Sequence, residues 1–137
     1  MTKEVWINLP VKKVNKSKEF FSKIGFSLNE KHTSGEMVCF EVGEKKMTVL
    51  FFAEETFKGL TKSEISDTKQ GAEVLISFDV ESREEVDETA RKVFEAGGTV
   101  FSKPEEILDW MYGFAFADLD GHRWNMVNMN FSEMPQQ

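Results

Sequence analysis

The chain has 137 residues, 40% of them apolar, with 13 Phe and 3 Trp. That is enough apolar material for one compact domain or two small halves sharing a core, and it excludes a disordered polypeptide. A formal net charge of −7 argues against a nucleic-acid role, and the cluster Lys12, Lys13, Lys16 and Lys18 reads as the solvated face of a helix start, so no nucleic-acid partner is expected.

The N-terminus, "MTKEVWINLPV", holds no apolar stretch of signal-peptide length, and no run anywhere is long enough to span a bilayer. No membrane partner is expected, and a cytoplasmic location is. Residues 4–11, "EVWINLPV", alternate and are rich in β-formers, which predicts a strand. In "NKSKEFFSKIGF" the residues Val14, Phe20, Phe21 and Ile24 fall at helical spacing and predict a helix near 16–24. Asn15 is its expected N-cap and Gly25 its stop. "MVCFEVGEKKMTVLFFA" reads as two strands around a "GEKK" turn. The lone cysteine, Cys39, lies in this alternation and is expected to be a buried, inert thiol, while His32 in "NEKHTSGE" is expected to be an exposed loop residue.

A polar connection follows, "EETFKGLTKSEISDTKQG", in which Thr61 and Glu64 suit the cap of one short helical turn. Beyond it "AEVLISFDV", residues 72–80, predicts a strand. "SREEVDETARKVFEAGG" predicts a helix near 83–96, opened by the Ser82–Glu85 capping box and closed by Gly97. A short strand around "TVFSK" precedes a second hairpin, "MYGFAFADLDGHRWNMVNM". Both halves therefore run strand, helix, three strands, which is an internal repeat. The expected organisation is a single α+β domain of two modules, about 1–55 and 71–131, joined by linker 54–70.

"DLDG" in the second hairpin reads as a tight turn, because Asp bonds its own backbone and Gly accepts positive φ. A calcium loop counted from Asp118 would place His122, Arg123 and Met129 at its fifth, sixth and twelfth positions, which does not match that motif.

The doubled order, with "NLPVKKVNKSKEFFSKIGF" near the start and "FADLDGHRW" near the end, resembles the vicinal oxygen chelate superfamily. This superfamily contains glyoxalase I, the bleomycin-resistance proteins and the extradiol dioxygenases. The resemblance spans essentially the whole chain. It is greatest to the branch of small bacterial glyoxalase-like proteins, on "SREEVDETARKVFEAGG" and "MYGFAFADLDGHRW". It implies two βαβββ modules whose curled mixed sheets form a cup around a ligand, and a homodimer.

Metal-binding members of that superfamily hold a divalent ion with His or Gln, Glu, His and Glu, one from the first and one from the last strand of each module. Carried onto this sequence, those positions fall on Trp6, with Asn8 on the same face, then Leu50, Glu73 and Asn125. Only Glu73 is a capable donor, so no metal site is expected. Alternation sets Arg123, Asn125 and Val127 toward the cup and His122, Trp124 and Met126 away from it. The expected ligand contacts are Trp6, Asn8, Glu73, Trp110, Arg123 and Asn125, and Glu73 is the one candidate catalytic base. Trp6 is equally compatible with simple core packing. The function implied is metal-free binding of a small molecule in the cup. The alternative is a glyoxalase I-like lyase that uses Zn, Ni or Mn through substituted ligands.

Overall fold

A computed structural model describes residues 1–133. Its elements are β1 (Ile7–Val11), α1 (Val14–Lys23), β2 (Ser27–Leu28), β3 (Met37–Val42), β4 (Met47–Ala53), α2 (Glu54–Thr61), β5 (Leu75–Asp79), α3 (Arg83–Glu95), β6 (Thr99–Ile107), β7 (Met111–Ala117) and β8 (Arg123–Met129). They form two four-stranded mixed sheets, ordered β1-β4-β3-β2 and β5-β8-β7-β6. In each sheet the first strand pairs parallel with the last, and the remaining pairs are antiparallel. The architecture is α+β with two βαβββ modules. The contacts divide it into two compact units, Met1–Asp67 and a second that starts at Thr68. Among the described residues no helix is long and apolar enough to cross a membrane.

In the first unit α1 packs on β3 and β4, because its buried face carries Val14, Phe20 and Phe21 at helical spacing. Phe21 is the hub of an aromatic core. Its ring stacks on Phe51 at 4.4 Å and on Phe26 at 5.1 Å, and meets Phe20 edge-on at 5.0 Å. The helix begins at Val14 with Lys13 as its N-cap, not at Asn15 as expected. Burial decides this start: Val14 must enter the first turn to reach the core, which leaves Asn15 inside the helix. Gly25 takes φ 110° and ends the helix, a conformation that costs a side-chain-bearing residue energy.

In the second unit α3 packs on β6, β7 and β8 through Val86, Ala90 and Val93. Ser82 caps it by accepting from Glu85 N at 3.2 Å, and Gly97, at φ 96°, lies just beyond its end. On the sheet face that packs under the helix, Trp124 is fully buried and stacks parallel to Phe116 at 6.3 Å.

Three further expectations are corrected. Residues 4–6 precede β1, since pairing with β4 starts at Ile7↔Val49. Likewise β5 starts at Leu75, opposite Arg123, because the preceding part of β8's chain is taken up by the 118–122 turn. The connection holds an eight-residue helix, α2, that ends at Thr61 instead of starting there. Glu54 and Glu55 favour that helix by lying against the positive end of its dipole, and Lys62 in the left-handed conformation stops it.

Candidate functional site

Strand alternation gives the first sheet two unlike faces. Val11, Val38, Phe40, Val49 and Phe51 point to α1 and are buried. Asn8, Leu50 and Cys39 lie side by side in register on the other face, with Thr48 next to Glu41 on the same side. This second face opens into a cavity of about 450 Å³. Its apolar lining is Trp6, Met37, Cys39 and Leu50, and its polar lining is Glu4, Asn29, His32, Glu41, Lys46 and Thr48.

Local hydrogen bonding explains how the rim is held. Asn29 caps a short 3-10 turn, Glu30–His32, by accepting from Lys31 N at 3.1 Å. Its amide Nδ2 donates to Glu41 Oε1 at 3.2 Å, and its backbone N donates to Cys39 O at 2.9 Å. Thr33 Oγ1 donates to Asn29 O at 2.9 Å and accepts from Cys39 N at 3.2 Å. The turn that carries His32 is thereby tied to β3. His32 is exposed, as expected, but it lines the cavity, and with Asn29 and Glu41 it belongs to a polar set that strand patterning alone does not single out. The only advance signal is the alternation of "MVCFEV", which puts Cys39 and Glu41 on one face.

Cys39 forms part of the cavity floor and is 3% exposed. Burial pushes its thiol pKa up, and the Glu41 carboxylate pushes it further, so the sulfur stays protonated at neutral pH. A protonated, buried thiol is a packing group and not a nucleophile.

The sequence-predicted residues divide between the units. Trp6 lines the cavity and is 52% exposed, which removes the core-packing alternative for it. Asn8 shares the open face beside Leu50 but does not line the cavity. Glu73 sits on a bend before β5 and is exposed, four residues ahead of Ser77, the residue in register with Asn125. Trp110 lies in the β6–β7 turn and packs against the Phe131 ring at 6.2 Å. Arg123 lies over the Phe101 ring at 4.2 Å, a cation–π contact. In β8 the register puts Arg123, Asn125 and Val127 on the face opposite Trp124 and Met126. The Oδ1 of Asn125 is buried and accepts no hydrogen bond from the described residues. An unsatisfied buried acceptor costs about 1–3 kcal/mol, so a ligand N–H or O–H reaching it would be stabilised there.

His122 belongs to the turn. Asp118 organises that turn: its Oδ1 accepts from Asp120 N and His122 N, both at 3.0 Å, and its Oδ2 from Trp124 Nε1 at 3.0 Å. Burial raises the Asp118 carboxyl pKa above its ordinary value, although His122 and the three donors oppose the shift. Gly121 takes φ 86°, and Thr68 Oγ1 closes over the turn by donating to Asp120 O at 2.7 Å. "DLDG" is therefore a structural turn, and its Asp118 is engaged on both carboxylate oxygens.

The resemblance implies a test for a divalent ion. At the positions carried over stand an indole, an isobutyl group, a carboxylate and a carboxamide, and a divalent ion is not held by such a set. Among the described residues no three His, Cys, Asp or Glu side chains converge in a way that could hold a metal. His32, Cys39 and Glu41 line one cavity without forming a ligand set. The residues do not fit the ion.

The profile of the Glyoxalase/Bleomycin resistance protein/Dioxygenase superfamily matches residues 5–126. Hypothetical protein SA1046 from S. aureus is similar in structure, with a TM-score of 0.82, 34% identity, and coverage of 93% of this chain and 94% of that one. A glyoxalase/bleomycin resistance protein/dioxygenase family enzyme from Burkholderia phytofirmans PsJN superposes with a TM-score of 0.79 at 22% identity, covering 93% of this chain and 100% of that one. The fosfomycin resistance protein FosX from Listeria monocytogenes, complexed with Mn(II) and sulfate ion, has the same fold, with a TM-score of 0.68, 18% identity, and coverage of 97% and 94%. No curated protein matches the chain. With the profile match extending over most of its length, the chain belongs to the Glyoxalase/Bleomycin resistance protein/Dioxygenase superfamily.

Proposed function

We propose that this chain binds a small organic molecule on the open face of its first sheet, against Trp6, without a divalent metal. The observation that carries the reading is the exposed Trp6 indole on the wall of a 450 Å³ cavity with an apolar floor. That volume falls in the range of small-molecule sites, and a half-exposed tryptophan supplies a large apolar surface for a flat ligand. The donor-poor set Trp6, Leu50, Glu73 and Asn125 supports the metal-free part of the reading. A lyase that forms an enediolate needs an electrophile to carry the developing charge, and Glu73 supplies only a base.

Titration with a panel of neutral and charged aromatic molecules, followed by tryptophan fluorescence, tests the reading. A bound ligand is expected to perturb Trp6 emission and to leave Trp124 unaffected, because Trp124 is fully buried on the helix side. Trp6→Phe is expected to abolish the signal and weaken binding roughly five- to tenfold, a cost of about 1–1.4 kcal/mol for lost aromatic contact. A signal that persists in Trp6→Phe and disappears in Trp124→Phe sinks the assignment.

A further inference from the structure

The chemistry of the same cavity points to a class of ligand, an inference that rests on the binding reading above. We infer that the cavity on the open face of the first sheet selects a flat organic cation, whose amidinium or ammonium group lies at Glu41 and whose apolar body lies against Trp6.

Three observations carry the inference. First, Glu41 is half-buried and is held in place by the Asn29 amide, so its carboxylate is oriented before any ligand arrives. Second, neither Glu41 nor Glu4 takes part in an ion pair among the described residues, so no protein cation is in direct contact with either carboxylate. The cavity's own lysine, Lys46, is exposed on the β3–β4 turn and can keep its ammonium in water. Third, the floor under Glu41 is Met37, Cys39 and Leu50, an apolar surface that screens charge poorly. The effect of Glu41 on the Cys39 thiol shows its negative charge acting at that floor. A carboxylate beside an apolar floor and an exposed indole matches a planar cation on both counts, through charge-assisted hydrogen bonding and stacking. An anion would face two carboxylates, Glu4 and Glu41, against a single lysine.

The test compares 2-naphthamidine, 2-naphthamide and 2-naphthoate by calorimetry. The three share one bicyclic body and differ in charge. The amidine is expected to bind about tenfold tighter than the amide, and the carboxylate more weakly than either. The amidine preference is expected to shrink as salt rises. Glu41→Gln keeps an acceptor for Asn29, so the fold is retained. It is expected to reduce amidine affinity at least about fivefold and to leave the amide unchanged. Lys46→Gln, on the exposed turn, is expected to strengthen amidine binding about twofold. Equal affinity for all three probes, or tightest binding of the carboxylate, overturns the cation assignment while small-molecule binding stands. An undiminished amidine preference in Glu41→Gln removes Glu41 from the site and overturns it too. If none of the three binds up to millimolar concentration, the cation assignment falls. The binding reading falls with it only where the Trp6 fluorescence panel is also silent.

Discussion

Phe21→Ala is expected to destabilise the first unit by about 3–5 kcal/mol, the range for truncating a large aromatic in a close-packed core. Phe21 is 1% exposed and is in ring contact with Phe20, Phe26, Phe40 and Phe51, which come from α1, the segment after it, β3 and β4. These rings hold the helix to the sheet, and the sheet's opposite face is the cavity. Removing the hub leaves a void bounded by rigid rings that cannot collapse into it, which places the cost at the upper end of the range. Phe21→Leu retains much of the volume and is expected to cost roughly half as much. Urea denaturation of both variants checks the order. A loss below about 1 kcal/mol for Phe21→Ala contradicts the packing described.

Asp118→Ala is expected to cost about 2–3 kcal/mol in the second unit, because the buried Trp124 Nε1 donor loses the Asp118 acceptor and the turn loses two further bonds. Asp118→Asn keeps the acceptor for Asp120 and His122 but turns an amide donor or a shared oxygen toward Trp124, so about half of that loss is expected. The pH dependence separates charge from hydrogen bonding. The folded pKa of Asp118 lies above its unfolded value, so the native state binds the proton more tightly. The Asp118 contribution therefore falls as pH rises from the ordinary aspartate range through the raised folded value, and is regained on acidification. Wild type is expected to gain stability relative to Asp118→Asn as pH is lowered through that window. A difference between the two that is constant with pH would show that no shift exists.

Much of the fold could be read from periodicity because the modules obey simple rules. Phe20 and Phe21 at helical spacing found α1, the Ser82–Glu85 box found the start of α3, and "GEKK" and "DLDG" found the two hairpin turns. Elsewhere tertiary contact overrides local signals. Asn15 is a good capping residue, but burial of Val14 draws the helix start past it. Residues 4–6 and 72–74 have strand-like sequence but lie outside β1 and β5, because β-propensity does not report where a partner strand begins. The cavity is less legible in the sequence. The resemblance points to Trp6, whereas Asn29 and His32 reach the cavity through a 3-10 turn whose geometry depends on Thr33 and Cys39, residues from two separate segments. No spacing rule encodes such a clasp. The resemblance points to Asn125, but its unsatisfied buried oxygen is a property of packing alone.

Metal content is the most direct test of the central claim, that this member of the superfamily uses its sheet face for binding and not for metal-assisted chemistry. The protein is purified without chelator and without an affinity nickel column, then subjected to elemental analysis for zinc, nickel and manganese. The account predicts far less than one ion per chain, unchanged in Glu73→Gln, because the indole, isobutyl and carboxamide groups at Trp6, Leu50 and Asn125 do not hold a divalent ion. About one ion per chain, lost in Glu73→Gln, would contradict it.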